Sequence, residues 1–156
     1  MSDLLVKLYD LPEKETLIQR LAEEGISIRR AISPEKHVVI DWVKEHFNIG
    51  WASECEAAFS NLPVTCYIAA KDKKMLGFAC YDATYKDFFG PTGVDKDARG
   101  KGIGKALFLV SLHAMAAQGY AYAIIGSAGP VSFYEKAVGA VVIEGSEQGI
   151  YKGMLR

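Results

Sequence analysis

The sequence predicts an α/β fold of the α+β kind, in which helices cover a mixed β-sheet. Segments with the two-residue alternation of a strand are interleaved with segments that have the apolar periodicity of a helix. In the second half, strand, helix and strand follow one another, which favours a parallel pair of strands within the sheet. The chain has 156 residues, of which 50% are apolar and 24% are charged. This size and composition predict a single domain, residues 1–156, with its own core.

The first half of the chain is predicted to contain four strands and three helices. Asp10 and Glu13 have the spacing of a capping box at the start of the first helix, and Gly25 ends that helix. Ser33 and Pro34 predict the start of the second helix, as an N-cap followed by proline. The predicted strands are residues 4–9, 26–32, 64–70 and 75–83, and the predicted helices are residues 10–24, 33–47 and 52–59.

The second half begins with a strand at residues 88–94, which Gly90-Pro91-Thr92-Gly93 interrupts. Proline within a strand indicates an edge or a bulge. The helix that follows is apolar on nearly all sides, so it should pack against the sheet. The remaining predicted elements are the helix 102–118, the strand 120–125, the helix 130–138 and closing strands at 141–143 and 150–152.

Charge and cysteine content exclude several classes of protein. The net charge of −1 argues against nucleic acid as a partner, because such a partner requires a basic face. Cys55, Cys66 and Cys80 have no metal-binding or C-x-x-C spacing, which favours buried thiols in a reducing compartment. A catalytic cysteine is the alternative. We find no signal-peptide pattern and no apolar run long enough for a membrane span, so we expect a cytoplasmic protein without a membrane partner.

The most informative stretch is Val94–Leu107, which joins a strand to the long helix. It places Gly100, Gly102 and Gly104 at alternate positions among basic residues. Glycines let the backbone approach a ligand closely, and the first N–H groups of a helix attract anions. The spacing fits neither G-x-G-x-x-G nor a P-loop. The stretch therefore predicts a phosphate site of another kind, the alternative being a glycine-rich turn without a ligand.

Three motifs resemble the GNAT superfamily, the GCN5-related N-acetyltransferases. Arg99-Gly100-Lys101-Gly102-Ile103-Gly104 is similar to the family's pyrophosphate loop, Gln/Arg-x-x-Gly-x-Gly/Ala. Residues 133–140, Phe-Tyr-Glu-Lys-Ala-Val-Gly-Ala, resemble its F-Y-x-K-x-G-F segment with one extra residue before the glycine. Ile28-Arg29-Arg30-Ala31, followed by a helix ending in Asp41-Trp42-Val43, resembles its usual start. The resemblance covers residues 27–156, which leaves residues 1–26 as a strand–helix extension that adds to the core or carries a subunit contact.

The resemblance implies a mostly antiparallel central sheet with a splayed parallel pair and helices on both faces. It implies transfer of an acetyl group from acetyl-coenzyme A (acetyl-CoA) to a primary amine of a small molecule by direct attack, with no metal. Two alternatives remain: acetylation of a protein or peptide amine, and a non-catalytic module that senses acyl-CoA. A homodimer is also left open.

The resemblance further assigns roles to individual residues. Tyr134 stands at the position of the family's general acid, with packing in the core as the alternative. Ser127 stands where the family often has Asn, and Pro130 where it often has Ala. The contacts with the coenzyme after the predicted strand 120–125 should therefore differ from the family pattern. The residues implied to bind the cofactor are Thr92, Val94, Arg99, Gly100, Lys101, Gly102, Ile103, Gly104, Lys105, Ser127 and Phe133.

No general base is evident from the sequence. The carboxylates expected on the substrate side are Glu54, Glu56, Asp82 and Asp87, each of which is alternatively a solvated surface group. His37, His46 and His113 lie within predicted helices and share no metal-ligand spacing, so we expect them to be core or surface residues rather than catalysts. Trp42 and Trp51 are expected to pack the two substrate-side helices, with a lining role for Trp51 in the acceptor pocket as the alternative.

Overall fold

A seven-stranded sheet forms the centre of the computed structural model, which describes residues 1–156. The strands are β1 (Leu4–Lys7), β2 (Ser27–Arg30), β3 (Cys66–Lys71), β4 (Lys74–Tyr81), β5 (Phe88–Val94), β6 (Tyr122–Ile125) and β7 (Val141–Val142). Their order across the sheet is β2-β3-β4-β5-β6-β1-β7. Only β5 and β6 pair in parallel; every other pair is antiparallel. The predicted fold class is confirmed.

Helices cover both faces of the sheet. They are α1 (Glu15–Glu23), α2 (Lys36–His46), α3 (Ile49–Ala58), α4 (Ile103–Gln118) and α5 (Val131–Val138). Ala79 and Tyr81 of β4 belong to the apolar core that contains α4, whereas Phe78 and Cys80 belong to the core beneath α2 and α3. This alternation is the two-residue period of a strand buried on both faces. None of the helices combines the length and apolarity that crossing a bilayer requires.

The strands β5 and β6 separate soon after they meet. They pair only at Phe88–Ile124 and Phe89–Ile125. Beyond Phe89, β5 continues beside β4 alone, after a register shift that accommodates Gly90 and Pro91. Pro91 has no N–H to donate, so it suits a strand that has lost one neighbour. The predicted bulge is confirmed, although the strand runs through it without a break.

The N-terminal extension is part of the central sheet. Strand β1 lies between β6 and β7, and its side chains Leu4 and Val6 are completely buried. The closing strand predicted at 150–152 is wrong, because Gly149–Tyr151 form a 3₁₀ turn instead. Strand β1 is the antiparallel neighbour of β6.

Several predicted boundaries differ from the structure for local reasons. The first strand ends at Lys7, and Leu8–Asp10 form a 3₁₀ turn. Asp10 does not cap α1; the Glu13 carboxylate accepts the Thr16 N–H at 3.0 Å. Ser33 does not cap α2 either, because a 3₁₀ turn at Ser33–Glu35 precedes that helix.

A pair of aspartates fixes the turn between β4 and β5. Asp82 Oδ1 accepts the Asp87 N–H at 2.7 Å, and the Asp87 carbonyl accepts the Ile124 N–H at 3.0 Å, next to the first β5–β6 pair. Asp87 Oδ1 is buried without a hydrogen-bond partner. Burial, and then the charge of Asp82, raise the pKa of Asp87 from 3.8 to about 6.

Asp87→Asn should therefore stabilise the protein at neutral pH. A carboxyl whose pKa is raised by folding costs stability as pH rises from its unfolded pKa through its folded pKa, here between about 4 and 6. An amide removes that cost and can donate to Asp82. We expect the variant to melt above the wild type at about pH 7.5 and the difference to shrink by about pH 4. An equal difference at both pH values, measured by thermal unfolding, would contradict this explanation.

Candidate active site

A cleft of about 470 Å³ opens where β5 has left β6. Its walls come from the second half of β5, the loop and first turn of α4, and the start of α5. The lining residues are Thr92, Gly93, Val94, Ala98, Arg99, Gly100, Gly102, Ile103, Gly104, Lys105, Phe108, Pro130, Phe133 and Tyr134. The cleft brings together all the site residues predicted from the sequence except Lys101 and Ser127.

Lys101 and Ser127 are held outside the cleft by contacts with the N-terminal extension. The Lys101 carbonyl accepts a hydrogen bond from Arg20 of α1 at 2.9 Å, and the Lys101 side chain is exposed. The Ser127 N–H donates to Asp3 Oδ1 at 2.8 Å. Both partners lie more than eighty positions away in the sequence, so the local motif gives no sign of them.

Two of the loop glycines, Gly102 and Gly104, meet different constraints. Gly102 has a φ of +90°, and a Cβ there would lie 2.9 Å from Arg20 Nη2 and 3.0 Å from Leu17 Cδ1. Gly102 thus lets α1 pack behind the loop. A Cβ on Gly104 would make only an ordinary contact, 3.6 Å from Val94. Packing within the fold therefore does not require glycine at position 104. We infer that the absence of a side chain there keeps the cleft open.

The loop is suited to an anion. The first N–H groups of α4 have no acceptor within the helix and lie at its positive end. Arg99 and Lys105 line the same cleft, and Arg99 is held by a 3.3 Å hydrogen bond from Nε to the Val94 carbonyl. These features favour a phosphate or pyrophosphate group at this end of the cleft.

Tyr134 of α5 also lines the cleft. It is 7% exposed, and its ring packs edge-on against Phe108 and Phe133, each with centroids 5.1 Å apart. Burial alone raises the pKa of Tyr134. Its hydroxyl therefore stays protonated throughout the neutral range and is available as a proton donor.

The four candidate carboxylates have different surroundings. Glu56 is exposed and pairs with Lys36 at 3.2 Å. Asp82 is occupied by donors from Gln118 and Tyr120 as well as the Asp87 N–H. Glu54 is half-buried, accepts one hydrogen bond from Thr84 Oγ1 at 2.5 Å, and has its pKa raised by burial. Asp87 is also partly desolvated, because its Oδ1 is buried without a hydrogen-bond partner and burial raises its pKa to about 6. Glu54 and Asp87 are therefore the two of the four that lack both a cation and several donors.

Two of the three histidines, His46 and His113, make structural contacts. His46 stacks on Trp42 with ring centroids 4.0 Å apart, and its Nδ1 lies 2.9 Å from the Trp42 carbonyl. His113 Nε2 lies 2.8 Å from the Pro12 carbonyl, and His37 is exposed.

Aromatic packing joins α2 and α3 to the sheet. Trp42 and Trp51 both lie edge-on to Phe78 of β4, so their expected packing role is confirmed. Phe47 fills the space that a Cβ on Gly93 would occupy. Val38 of α2 is 53% exposed, so it lies outside this packing.

The three cysteines converge, which their sequence spacing did not indicate. Cys55 of α3, Cys66 of β3 and Cys80 of β4 are completely buried, with sulfur atoms all within 4.8 Å of one another. The distances would suit a thiophilic ion, but the surrounding core is apolar. Three thiolates around a divalent ion would leave an uncompensated charge there, which is costly. Packing as small apolar side chains fits these surroundings better.

Comparisons with known proteins agree with the geometry. Residues 63–137 match the acetyltransferase (GNAT) domain model. A search of curated proteins found no match. Among solved structures, the GCN5-related glucosamine N-acetyltransferase region of a fungal multi-domain GH3 β-N-acetylglucosaminidase aligns with a TM-score of 0.74 at 14% identity, over 91% of this chain and 19% of that one. A GCN5-related N-acetyltransferase from Sphaerobacter thermophilus aligns with a TM-score of 0.71 at 18% identity, over 91% of this chain and 48% of that one.

This chain spans less than half the length of both proteins, and at these identities the likeness shows the fold. The fold and the family match agree with the three sequence motifs. The resemblance found in the sequence is confirmed: the chain has the fold of the GNAT acetyltransferases, and its residues 63–137 match their domain.

Proposed function

We propose that the chain transfers an acetyl group from acetyl-CoA to a primary amine of a small molecule. The observation that carries this proposal is the cleft itself. It combines an anion-binding helix start, a strand edge without a neighbour, and a largely buried tyrosine, Tyr134, in its lining. The unpaired, buried thiols favour a reducing compartment, and we propose the cytoplasm.

The residues of the cleft fit the parts of acetyl-CoA in order. The N–H groups of residues 100–104, with Arg99 and Lys105, would hold the pyrophosphate. The edge of β5 at Thr92–Val94 faces no strand on the β6 side, so the amides of the pantetheine arm can pair with it as an added strand. A backbone N–H there would polarise the thioester carbonyl, as an oxyanion-hole donor does.

The reaction needs a proton donor for the leaving group. Amine attack forms a C–N bond and breaks the C–S bond, and the thiolate is costly in a partly dry cleft. A phenol has a pKa of about 10 and a thiol about 8.5, so the Tyr134 hydroxyl is a matched donor. Because burial raises the pKa of Tyr134, the rate should fall only at alkaline pH, where that hydroxyl ionises.

An assay of thiol release from acetyl-CoA distinguishes the proposed function from its two alternatives. A protein or peptide acetyltransferase would release free coenzyme A thiol from acetyl-CoA with peptide amines and not with small amines. A sensor of acyl-CoA would bind the coenzyme and release thiol with neither. The Tyr134 hydroxyl in the cleft favours a catalyst over a sensor.

Gly104→Val should weaken coenzyme A binding while leaving the fold intact. The added side chain has room beside Val94 yet enters the cleft, so we expect a loss of affinity of about tenfold or more, which corresponds to about 1.4 kcal/mol. The matched control is Ala117→Val, the same β-branched substitution at an exposed position of α4. Equal affinities of the two variants, measured by calorimetry, would place the coenzyme elsewhere.

Tyr134→Phe should lower kcat by roughly 10²–10⁴-fold, the usual contribution of a general acid. Coenzyme A affinity should stay unchanged, because the ring and its packing are kept. Tyr122→Phe removes a hydroxyl at an exposed position and serves as the control. If Tyr134→Phe kept the wild-type kcat under conditions where chemistry limits the rate, Tyr134 would be a packing residue.

Replacing Cys55, Cys66 and Cys80 with alanine, singly and together, should lower thermal stability and leave kcat within about tenfold of wild type, because a catalytic nucleophile contributes far more. The stability loss follows from removing buried apolar volume. An acetylated cysteine that forms and decays as fast as turnover, observed by mass spectrometry, would show that the thiol is a nucleophile.

A further inference from the structure

The three cysteines form a cluster that the proposed function does not use. Cys66 of β3 and Cys80 of β4 are directly opposite each other in the antiparallel pair, so their side chains lie on the same face of the sheet. Cys55 comes from the middle of α3, which covers that face. All three are free thiols without exposed surface, and none of them lines the cleft beside β5.

The sulfur atoms lie as three ligands of one small centre would. All three are within 4.8 Å of one another, and the Sγ atoms of Cys55 and Cys66 are 3.9 Å apart. Bonds of about 2.3 Å from a central atom to each sulfur place the sulfurs of a three-coordinate centre roughly 3.5–4 Å apart. Only a small inward movement of the side chains would therefore close the cluster around such a centre.

The surroundings restrict the charge and the coordination number of that centre. No histidine or carboxylate joins the cluster, and the core around it is apolar, with Val43, Ile68 and Phe78 among its members. A structural zinc ion takes four ligands, and with three thiolates it would bring a single negative charge into this core. A trivalent centre with three thiolates is neutral. If that centre also carries a lone pair, three ligands complete its shell.

We propose that Cys55, Cys66 and Cys80 bind trivalent arsenic, taken up as arsenous acid, in a neutral complex with three thiolates. This site is separate from the cleft and does not depend on the proposed acetyltransferase function. In the free protein the thiols stay packed as small apolar side chains. The complex keeps that core uncharged, which a divalent ion on the same three sulfurs cannot do.

The exchange balances without an oxidant or a reductant. Each thiol forms one As–S bond as one As–O bond breaks, and its proton leaves with the hydroxide as water. Three such steps convert arsenous acid and three thiols into the complex and three water molecules. Arsenic stays trivalent throughout, and both the reactants and the products are uncharged, so the net exchange transfers no charge into the core.

Local opening of α3 gives the uncharged acid access to the buried sulfurs. The fully buried residues of this helix are Ala52, Cys55 and Ala58, all of them small. Separating the helix from the sheet exposes less apolar surface than it would for a helix held by large buried side chains, so it costs less free energy.

Native mass spectrometry with sodium arsenite as the probe tests the site, on protein kept reduced by a phosphine. We expect one arsenic atom per chain, with the loss of three hydrogens from the protein. The melting temperature should rise with arsenite concentration, because a ligand of the folded state stabilises that state. Cys55→Ala, Cys66→Ala and Cys80→Ala should each weaken arsenite binding by about tenfold or more.

Ala52→Gly is the matched control for loss of stability. It weakens α3 close to Cys55 and leaves all three thiols in place. This variant should still bind one arsenic atom with the loss of three hydrogens. It should bind faster than wild type, because α3 opens more readily.

Four results would overturn the inference. The first is a wild-type protein that takes up no arsenic. The second is an adduct that has lost only two hydrogens, because arsenic would then hold two sulfurs and keep a hydroxide. The third is a melting temperature that falls as arsenite is added, which would place binding on the unfolded chain. The fourth is wild-type affinity in any of the three single alanine variants.

Discussion

Strands β5 and β6 are hydrogen-bonded to each other at only two residue pairs, Phe88–Ile124 and Phe89–Ile125, before they separate. This short pairing creates the candidate site. On the α4 side it exposes the β5 edge at Thr92–Val94 to the cleft. On the α3 side it leaves Gly126 beside Phe88 and the Tyr151 hydroxyl. A longer pairing would close both openings, because the β5 N–H and C=O groups on that edge would then be bonded to β6.

The rest of the chain holds this separation in place. Two apolar cores, one on each face of the sheet, fix β4, and β4 in turn carries the second half of β5. Strand β1 continues the sheet beyond β6, and α1 supports the glycine loop through Arg20 and Leu17.

Local sequence patterns account for the cleft better than for its surroundings. The loop at 99–105 and Tyr134 are contiguous motifs whose chemistry follows from neighbouring residues, so the sequence indicated them. The exclusion of Lys101 and Ser127 depends on Arg20 and Asp3, which only the tertiary fold brings near. The same holds for Glu54. It was one of four equivalent carboxylates in the sequence, and its contact with Thr84 is formed by folding.

The most direct test of this account follows backbone amides as coenzyme A is added to the isotopically labelled protein. If the coenzyme occupies the opening beside β5, the ¹H–¹⁵N signals of residues 92–94 and 99–105 should shift and saturate together. The amide hydrogens among them that gain an acceptor from the coenzyme should also exchange more slowly with solvent. Saturable binding that leaves these signals unchanged while others shift would contradict the central claim that the parted strands and the glycine loop form one coenzyme site.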